Sequence, residues 1–182
     1  MFPIIDRRGN VIGFGGRTLE KDAGAKDLNS DENMVFRKRE NLFSLNFAKN
    51  TKEKFLILCE GYMDALRLHK CGFRESVASL GTSLTAEQAA LLKRFADRCY
   101  ICYDSDQAGK NAALRGMYIL QENGLDVRVI NIPEGKDPDE FLSANPPEKF
   151  EEIISEAKPL LLHHIEFLRP LLNDKATRKS AM

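Results

Sequence analysis

An excess of charge of either sign is missing from this sequence. Its 27 Lys and Arg residues balance 27 Asp and Glu residues, for a formal net charge of zero. That balance excludes a uniformly basic nucleic-acid coat and an acidic disordered tail. Long apolar runs are missing too. No stretch approaches the roughly 20 residues a membrane helix needs, so no membrane partner is expected. The opening Met1-Phe2-Pro3-Ile4-Ile5-Asp6-Arg7-Arg8 lacks the basic-then-apolar order of a secretory signal. No internal repeat is visible. Cysteine is sparse: Cys59, Cys71, Cys99 and Cys102. Cys99-x-x-Cys102 has the spacing of half a zinc site, but no second CxxC or HxxxH accompanies it. Its surroundings, Arg98 to Tyr103, read as a strand, where residues three apart face opposite sides. The cysteines are therefore read as buried reduced thiols, with no zinc site in this chain, which suits a reducing, cytoplasmic location. His69, His163 and His164 have no metal-ligand spacing either, and His69 is assigned to a surface or interhelical position.

What is present is a chain of 182 residues, 43% of them hydrophobic, enough for one domain with an appendage and a sizeable core. Charge is unevenly spread. Residues 1–54 hold 11 basic and 8 acidic groups, residues 55–140 hold 10 and 13, and residues 141–182 hold 6 of each. An acidic middle beside a basic arm suits a metal-dependent enzyme acting on a polyanion, although offsets of this size also arise by chance.

The pattern divides the chain. Residues 3–17 read as a β-hairpin around Arg7-Arg8-Gly9-Asn10. Residues 20–40 form a long polar loop, and residues 41–49 a short helix. Phe55-Leu56-Ile57-Leu58-Cys59 is a continuous apolar run, as in a buried parallel strand. A helix from Tyr62 to Cys71 ends at Gly72. Ser76 to Leu80 is a second strand, and Thr85-x-x-Gln88 a capping box opening a helix to about Asp97. Cys99 to Tyr103 is a third strand. A helix over residues 108–123 presents Ala112, Gly116, Ile119 and Leu120 on one face and stops at Gly124. Val127 to Ile132 is a fourth strand. Asp137-Pro138-Asp139-Glu140 opens a short helix, and another covers residues 147–157. Phe47, Phe55 and Phe95 are assigned to the core. From Pro159 the tail is apolar and reads as a core helix, with residues 173–182 frayed. Strands alternating with helices predict an α/β fold with a central, mostly parallel sheet flanked by helices.

In such sheets ligands bind at the carboxyl ends of the strands, and carboxylates collect there. Glu60 follows the first buried strand, with Asp64 one turn into its helix. Asp104 and Asp106 follow the third, and Asp137 and Asp139 come soon after the fourth. Carboxylates converging on one rim repel one another unless cations neutralise them, and hard oxygen donors favour Mg²⁺ or Mn²⁺. Asp104-x-Asp106 puts two carboxylates on the same side of an extended segment. That suits metals about 3.5–4 Å apart, the arrangement used in phosphoryl transfer. Structural roles stand beside this reading: Asp64 as a first-turn acid, Asp137 as an N-cap completed by Glu140, and Asp106 as the cap of the following helix. Glu60 has no such role. Further upstream, Gly13-Phe14-Gly15-Gly16-Arg17 places glycines on a strand edge, which marks either a bulge or close approach to a ligand. Arg17 is suited to a phosphate, and Lys26, Arg37, Lys38 and Arg39 continue the basic character.

Glu60-Gly61-Tyr62-Met63-Asp64 and Tyr103-Asp104-Ser105-Asp106-Gln107-Ala108-Gly109 resemble the two acidic motifs of the Toprim domain, shared by primases, topoisomerases, nucleases and recombination proteins. Gly13 to Arg17, Leu28-Asn29-Ser30, Phe36 to Phe43, Ala78-Ser79-Leu80-Gly81-Thr82 and Gly135 to Glu140 further resemble the bacterial DnaG-type DNA primases. The resemblance implies a Toprim fold with an N-terminal β-hairpin and loop arm and a C-terminal helical tail. It divides the chain at residues 1–54, a partial basic subdomain, 55–145, the Toprim domain, and 146–182, the start of a helical subdomain. It implies a nucleotidyltransferase that makes short RNA primers from NTPs on single-stranded DNA during replication, using two or more Mg²⁺ or Mn²⁺ ions. By resemblance Glu60, Asp104 and Asp106 are catalytic metal ligands, supported by Asp64, Asp137 and Asp139. Gly15, Gly16, Arg17, Lys26, Asn29 and Lys38 match positions that touch nucleic acid or nucleotide. A replicative helicase is the partner of full-length members, through a domain expected to be absent here. A Toprim-type nuclease and a truncated, non-catalytic nucleic-acid-binding remnant are the alternative functions. One departure is Ala25-Lys26-Asp27, where the family usually has Pro-Lys-Tyr, so that Asp27 adds negative charge beside the template track.

Overall fold

A computed structural model describes residues 1–18, 27–104, 107–133, 137–159 and 162. The apolar tail beyond Pro159 therefore lies almost wholly outside the described residues, as do Lys26 and Asp106. The chain opens with β1 (Phe2–Ile5) and β2 (Val11–Arg17), joined by the expected turn. There Asp6 accepts from the backbone N–H groups of Arg8 and Asn10, and Gly9 takes a φ of 99° that a side chain would resist. β3 (Asp27–Asn29) adds to the other side of β2, so the order is β1-β2-β3, all antiparallel.

The glycine-rich strand is thus the middle of a small sheet and not its edge. Packing accounts for two of its glycines. A Cβ on Gly13 would lie 3.2 Å from the Phe36 ring, and one on Gly15 would lie 3.3 Å from Tyr62.

The second sheet carries the expected topology. Its order is β5 (Ser76–Ala78), β4 (Phe55–Cys59), β6 (Arg98–Cys102), β7 (Asp126–Val129) and β8 (Lys158–Pro159). The first four are parallel, and β8 closes the far edge antiparallel to β7. β8 is two residues long and has no alternation to reveal it. The connecting helices are α2 (Tyr62–Lys70), α3 (Ala86–Lys93), α4 (Gln107–Glu122), α5 (Pro138–Ala144) and α6 (Pro147–Ser155). Strand alternation splits the core in two. Ile57, Cys59, Tyr100 and Cys102 face one cluster, which includes Ala65 and Leu68 of α2, Phe141 of α5 and Phe150 of α6. Leu56, Leu58, Cys99 and Ile101 face the other, with Leu92 of α3 and Met117 and Leu120 of α4. Cys99 and Cys102 accordingly lie on opposite faces of the sheet, and all four cysteines are free thiols.

Three local readings are corrected. Residues 41–44 are not helical. Phe43 instead bridges Ala78 at the exposed edge of β5, and Ser44 enters α1 (Leu45–Ala48) with φ 58°. That left-handed conformation is held by its hydroxyl, which donates to the Ser76 carbonyl at 2.7 Å and lies 3.1 Å from His69 Nε2. Phe47, assigned to the core, is 59% exposed, because so short a helix turns its ring outward against His69. On α4 the buried stripe is Ala113, Gly116, Met117 and Leu120; Ala112 and Ile119 are only half-buried. No helix among the described residues is long and apolar enough to cross a membrane.

Candidate metal centre and nucleotide site

The chain leaves β4 for β5 on one side, then returns past β4 to β6 on the other. The crevice between β4 and β6 is therefore the switch point where an open parallel sheet binds its ligand. Glu60 follows β4 there, and Asp104 follows β6. The Glu60 side chain is exposed, while its backbone carbonyl accepts from Ser79 Oγ at 3.0 Å, pinning the end of β4 to the strand beside it.

Asp64, in the first turn of α2, is 6% exposed. One oxygen accepts from the Gly61 N–H at 3.3 Å, the other from the Asp139 N–H at 3.4 Å. The first contact is the first-turn role foreseen for it, and the second ties α2 to α5. Burial first, then Asp137 and Asp104, push its carboxyl from 3.8 up to about 7. Asp137 is the N-cap of α5, accepting from the Glu140 N–H at 2.7 Å. Asp139 pairs with Arg67 Nε of α2 at 2.5 Å. Asp64, Asp104 and Asp137 thus act on one another electrostatically, while Asp139 already has a cation. Glu60 lies toward the α4 side, where its charge is felt by the buried Tyr103 phenol.

Beneath the rim, burial and then the nearby acids raise the Cys59 and Cys102 thiols well above their ordinary range, so both stay protonated. Among the described residues no three His, Cys, Asp or Glu side chains already form a closed metal cage. Mg²⁺ does not require one, since it keeps several waters and binds through one or two carboxylates plus substrate phosphates. The donor set at the rim is hard oxygen, as such an ion prefers.

The two sheets meet beside this rim. Tyr62, two residues past Glu60, donates its hydroxyl to the Gly16 carbonyl at 2.7 Å. Asn29 donates to the Leu80 carbonyl at 3.2 Å, and its buried Oδ1 has no partner among the described residues. Arg17 is exposed and stands opposite Asp27 in the β2–β3 register. Lys38 is half-buried, in a 3-10 turn fastened to α3 by Gln88, whose amide donates to the carbonyls of Lys38 and Asn41.

Sequence reasoning missed Arg67, Tyr62 and Gly109. Arg67 lies three residues after Asp64, but its partner is 72 residues further on, and no local pattern connects them. Gly109 did have a signal, a glycine inside a helix. A Cβ there would sit 2.2 Å from the Asp104 carbonyl oxygen, so only glycine lets α4 start against that strand end.

Residues 1–49 match the DNA primase catalytic core, N-terminal domain, and residues 57–142 match the Toprim-like family. The DNA primase of Clostridium acetobutylicum is 49% identical over 166 residues, which cover 91% of this chain and 28% of that protein. The crystal structure of the Aquifex aeolicus primase zinc-binding and RNA polymerase domains superposes with a TM-score of 0.85 at 44% identity, over 93% of this chain and 43% of that one. The DnaG primase catalytic domain bound to single-stranded DNA superposes with a TM-score of 0.86 at 38% identity, over 99% and 59% respectively. The chain spans between a quarter and two-fifths of the length of the curated primases it matches. With both family matches falling on the expected motifs, and the parallel sheet bringing those motifs to one crevice, this chain belongs to the DnaG-type DNA primase family and carries a Toprim part of its catalytic core.

Proposed function

We propose that this chain forms the nucleotidyl-transfer centre of a DNA primase, joining NTPs into short RNA primers on a single-stranded DNA template. The observation that carries the reading is the convergence of Asp64, Asp104 and Asp137 at the switch point, where burial first, and then the charges of Asp137 and Asp104, push Asp64 up to about 7. Such a cluster is stable only when neutralised. Glu60, Asp104 and Asp106 would hold two or more Mg²⁺ or Mn²⁺ ions, with Asp64, Asp137 and Asp139 in support, and the ions would neutralise charge developing on the phosphoryl oxygens. Protonated Cys59 and Cys102 favour these hard ions over zinc.

The remaining work falls to the chain's own groups. Arg67 holds Asp139 and so fixes the start of α5 against α2. Arg17, Lys26 and Lys38 meet template or nucleotide phosphates, with Gly15, Gly16 and Asn29 beside them. In this division residues 1–54 supply the basic arm, 55–145 the Toprim unit and 146–182 the start of a helical subdomain. The matched DnaG domain bound to single-stranded DNA supports the template assignment.

Primer synthesis on single-stranded DNA with NTPs and Mn²⁺ tests the reading, alongside Mn²⁺ binding followed by electron paramagnetic resonance. Glu60→Gln and Asp104→Asn are each expected to lower synthesis by at least about 100-fold with the circular dichroism spectrum unchanged. Variants as active as the parent would remove the mechanism. Cleavage of labelled DNA in the absence of NTPs would replace it with a nuclease.

A further inference from the structure

The other end of the parallel sheet carries a cavity of about 600 Å³. It lies at the amino ends of β4 and β5, walled by α1, the chain that follows α1 and the end of α2. The five residues of β4 separate it from Glu60, about 16 Å at 3.3 Å per residue. It shares no residue with the metal centre.

Four charged side chains line it, Lys52 and Arg74 against Glu53 and Glu75. Among the described residues none of the four forms an ion pair. Glu75 is the telling one. It is only 9% exposed, and a buried carboxylate is costly unless a cation or several donors surround it. Burial is the largest influence on its carboxyl and pushes it above its ordinary range. A hydrogen bond from its own backbone N–H opposes this, and the charge acting on it is the like charge of Glu53. Lys52 and Arg74 are exposed and leave it unneutralised.

A further wall is aromatic. Phe47 lies open on α1, and the His69 ring meets it edge to face, 6.4 Å between centroids. His69 Nε2 lies 2.8 Å from the Ser76 carbonyl oxygen, which can only accept, so the imidazole is held and backs Phe47 on one side. An exposed phenyl ring and a buried carboxylate are the two partners an organic cation seeks. The ring face attracts a weakly hydrated ammonium or guanidinium, and the carboxylate accepts from its N–H groups. A metal ion is not served here, since the described residues include no group of three His, Cys, Asp or Glu able to hold one.

We propose that this cavity binds an organic cation, an ammonium or guanidinium on an aliphatic stem, with Glu75 as its counter-ion, Phe47 against the stem and head, and Glu53 beside the opening. Two sources present that chemistry, a lysine or arginine side chain of another protein and a free polyamine. Lys52 and Arg74 repel a ligand with several positive charges, so the observations favour a single basic side chain. The site stands independently of the nucleotidyl-transfer reading.

A ¹H–¹⁵N NMR titration of the full chain with Nα-acetylarginine amide, and separately with spermidine, tests the site. Saturable shifts are expected at the amides of Phe47, His69 and Glu75. Glu75→Gln keeps the shape and removes the charge, and is expected to weaken binding at least about tenfold. Phe47→Ala, at an exposed position, is expected to weaken it about threefold and carries the test if Glu75→Gln fails to fold. Saturable shifts at these amides with spermidine alone would support the site and assign it to a free polyamine. Shifts confined to the acidic rim, no saturation at tens of millimolar ligand, or affinity unchanged in either variant overturns the proposal. A Glu75 carboxyl carbon that still reports the protonated form at saturating ligand overturns it as well.

Discussion

Asp64 is a carboxylate that the fold holds at a disadvantage. It is buried, it faces Asp104 and Asp137, and its two backbone contacts are long. Its folded-state pKa of about 7 lies above the ordinary 3.8, so the folded protein binds a proton that the unfolded chain releases. The corresponding stability is present in full below about pH 4 and is lost as pH rises through 7. Urea unfolding of the metal-free protein is thus expected to show lower stability at pH 8 than at pH 5. Asp64→Asn is expected to flatten that slope and to stabilise the protein at pH 8 by about 2–4 kcal/mol. Mn²⁺ should raise the wild-type midpoint at pH 8 more than that of the variant. Gly109 sets the other side of the rim. Gly109→Ala forces α4 away from the Asp104 carbonyl, and Mn²⁺ affinity is expected to fall at least tenfold while far-ultraviolet dichroism is retained. Unchanged affinity would mean that the backbone there gives way freely.

At the level of elements, the joint between the small antiparallel sheet and α2 depends on few contacts. Tyr62 packs in tilted contact with the rings of Phe2 and Phe43, centroids 5.7 and 5.6 Å away, and donates to Gly16. Tyr62→Phe keeps the ring contacts and loses the hydrogen bond, so a stability loss of about 1 kcal/mol is expected in thermal or urea melts. A loss above about 3 kcal/mol would show that the hydroxyl anchors more than one strand end. Most of these elements were legible beforehand. Uninterrupted apolar runs such as Phe55 to Cys59 announce strands buried on both faces, and capping residues such as Thr85 and Asp137 mark helix starts. What escaped was decided by tertiary contact. Residues 41–44 were drawn to the edge of β5, β8 exists only because β7 offers an open edge, and the buried stripe of α4 is set by which sheet face it covers. The site shows the same division. Its acids announced themselves by following strands, whereas the Arg67–Asp139 pair and the packing roles of Gly13 and Gly15 depend on partners far along the chain.

Across the whole molecule, a neutral sum conceals a basic arm joined to an acidic crevice. Binding of single-stranded DNA through Arg17, Lys26 and Lys38 would release counterions, so affinity is expected to fall with a log–log slope against salt of about −2, near −0.7 per phosphate contact. Replacing Lys38 by Ala should flatten that slope by about 0.7 without changing sequence preference. Asp27→Tyr should tighten binding, as removal of a negative charge beside the track requires. A slope near zero would place the template elsewhere.

Three of the four thiols, Cys59, Cys99 and Cys102, are fully enclosed, and burial keeps them protonated. Cys71 alone is partly open, at the end of α2 remote from the rim. Along the helix axis it stands about 10 Å beyond Asp64 at 1.5 Å per residue. The native protein thus carries its own attachment point for a maleimide spin label, and a paramagnetic ion at the rim would broaden that label's spectrum without any cysteine having to be engineered in or out.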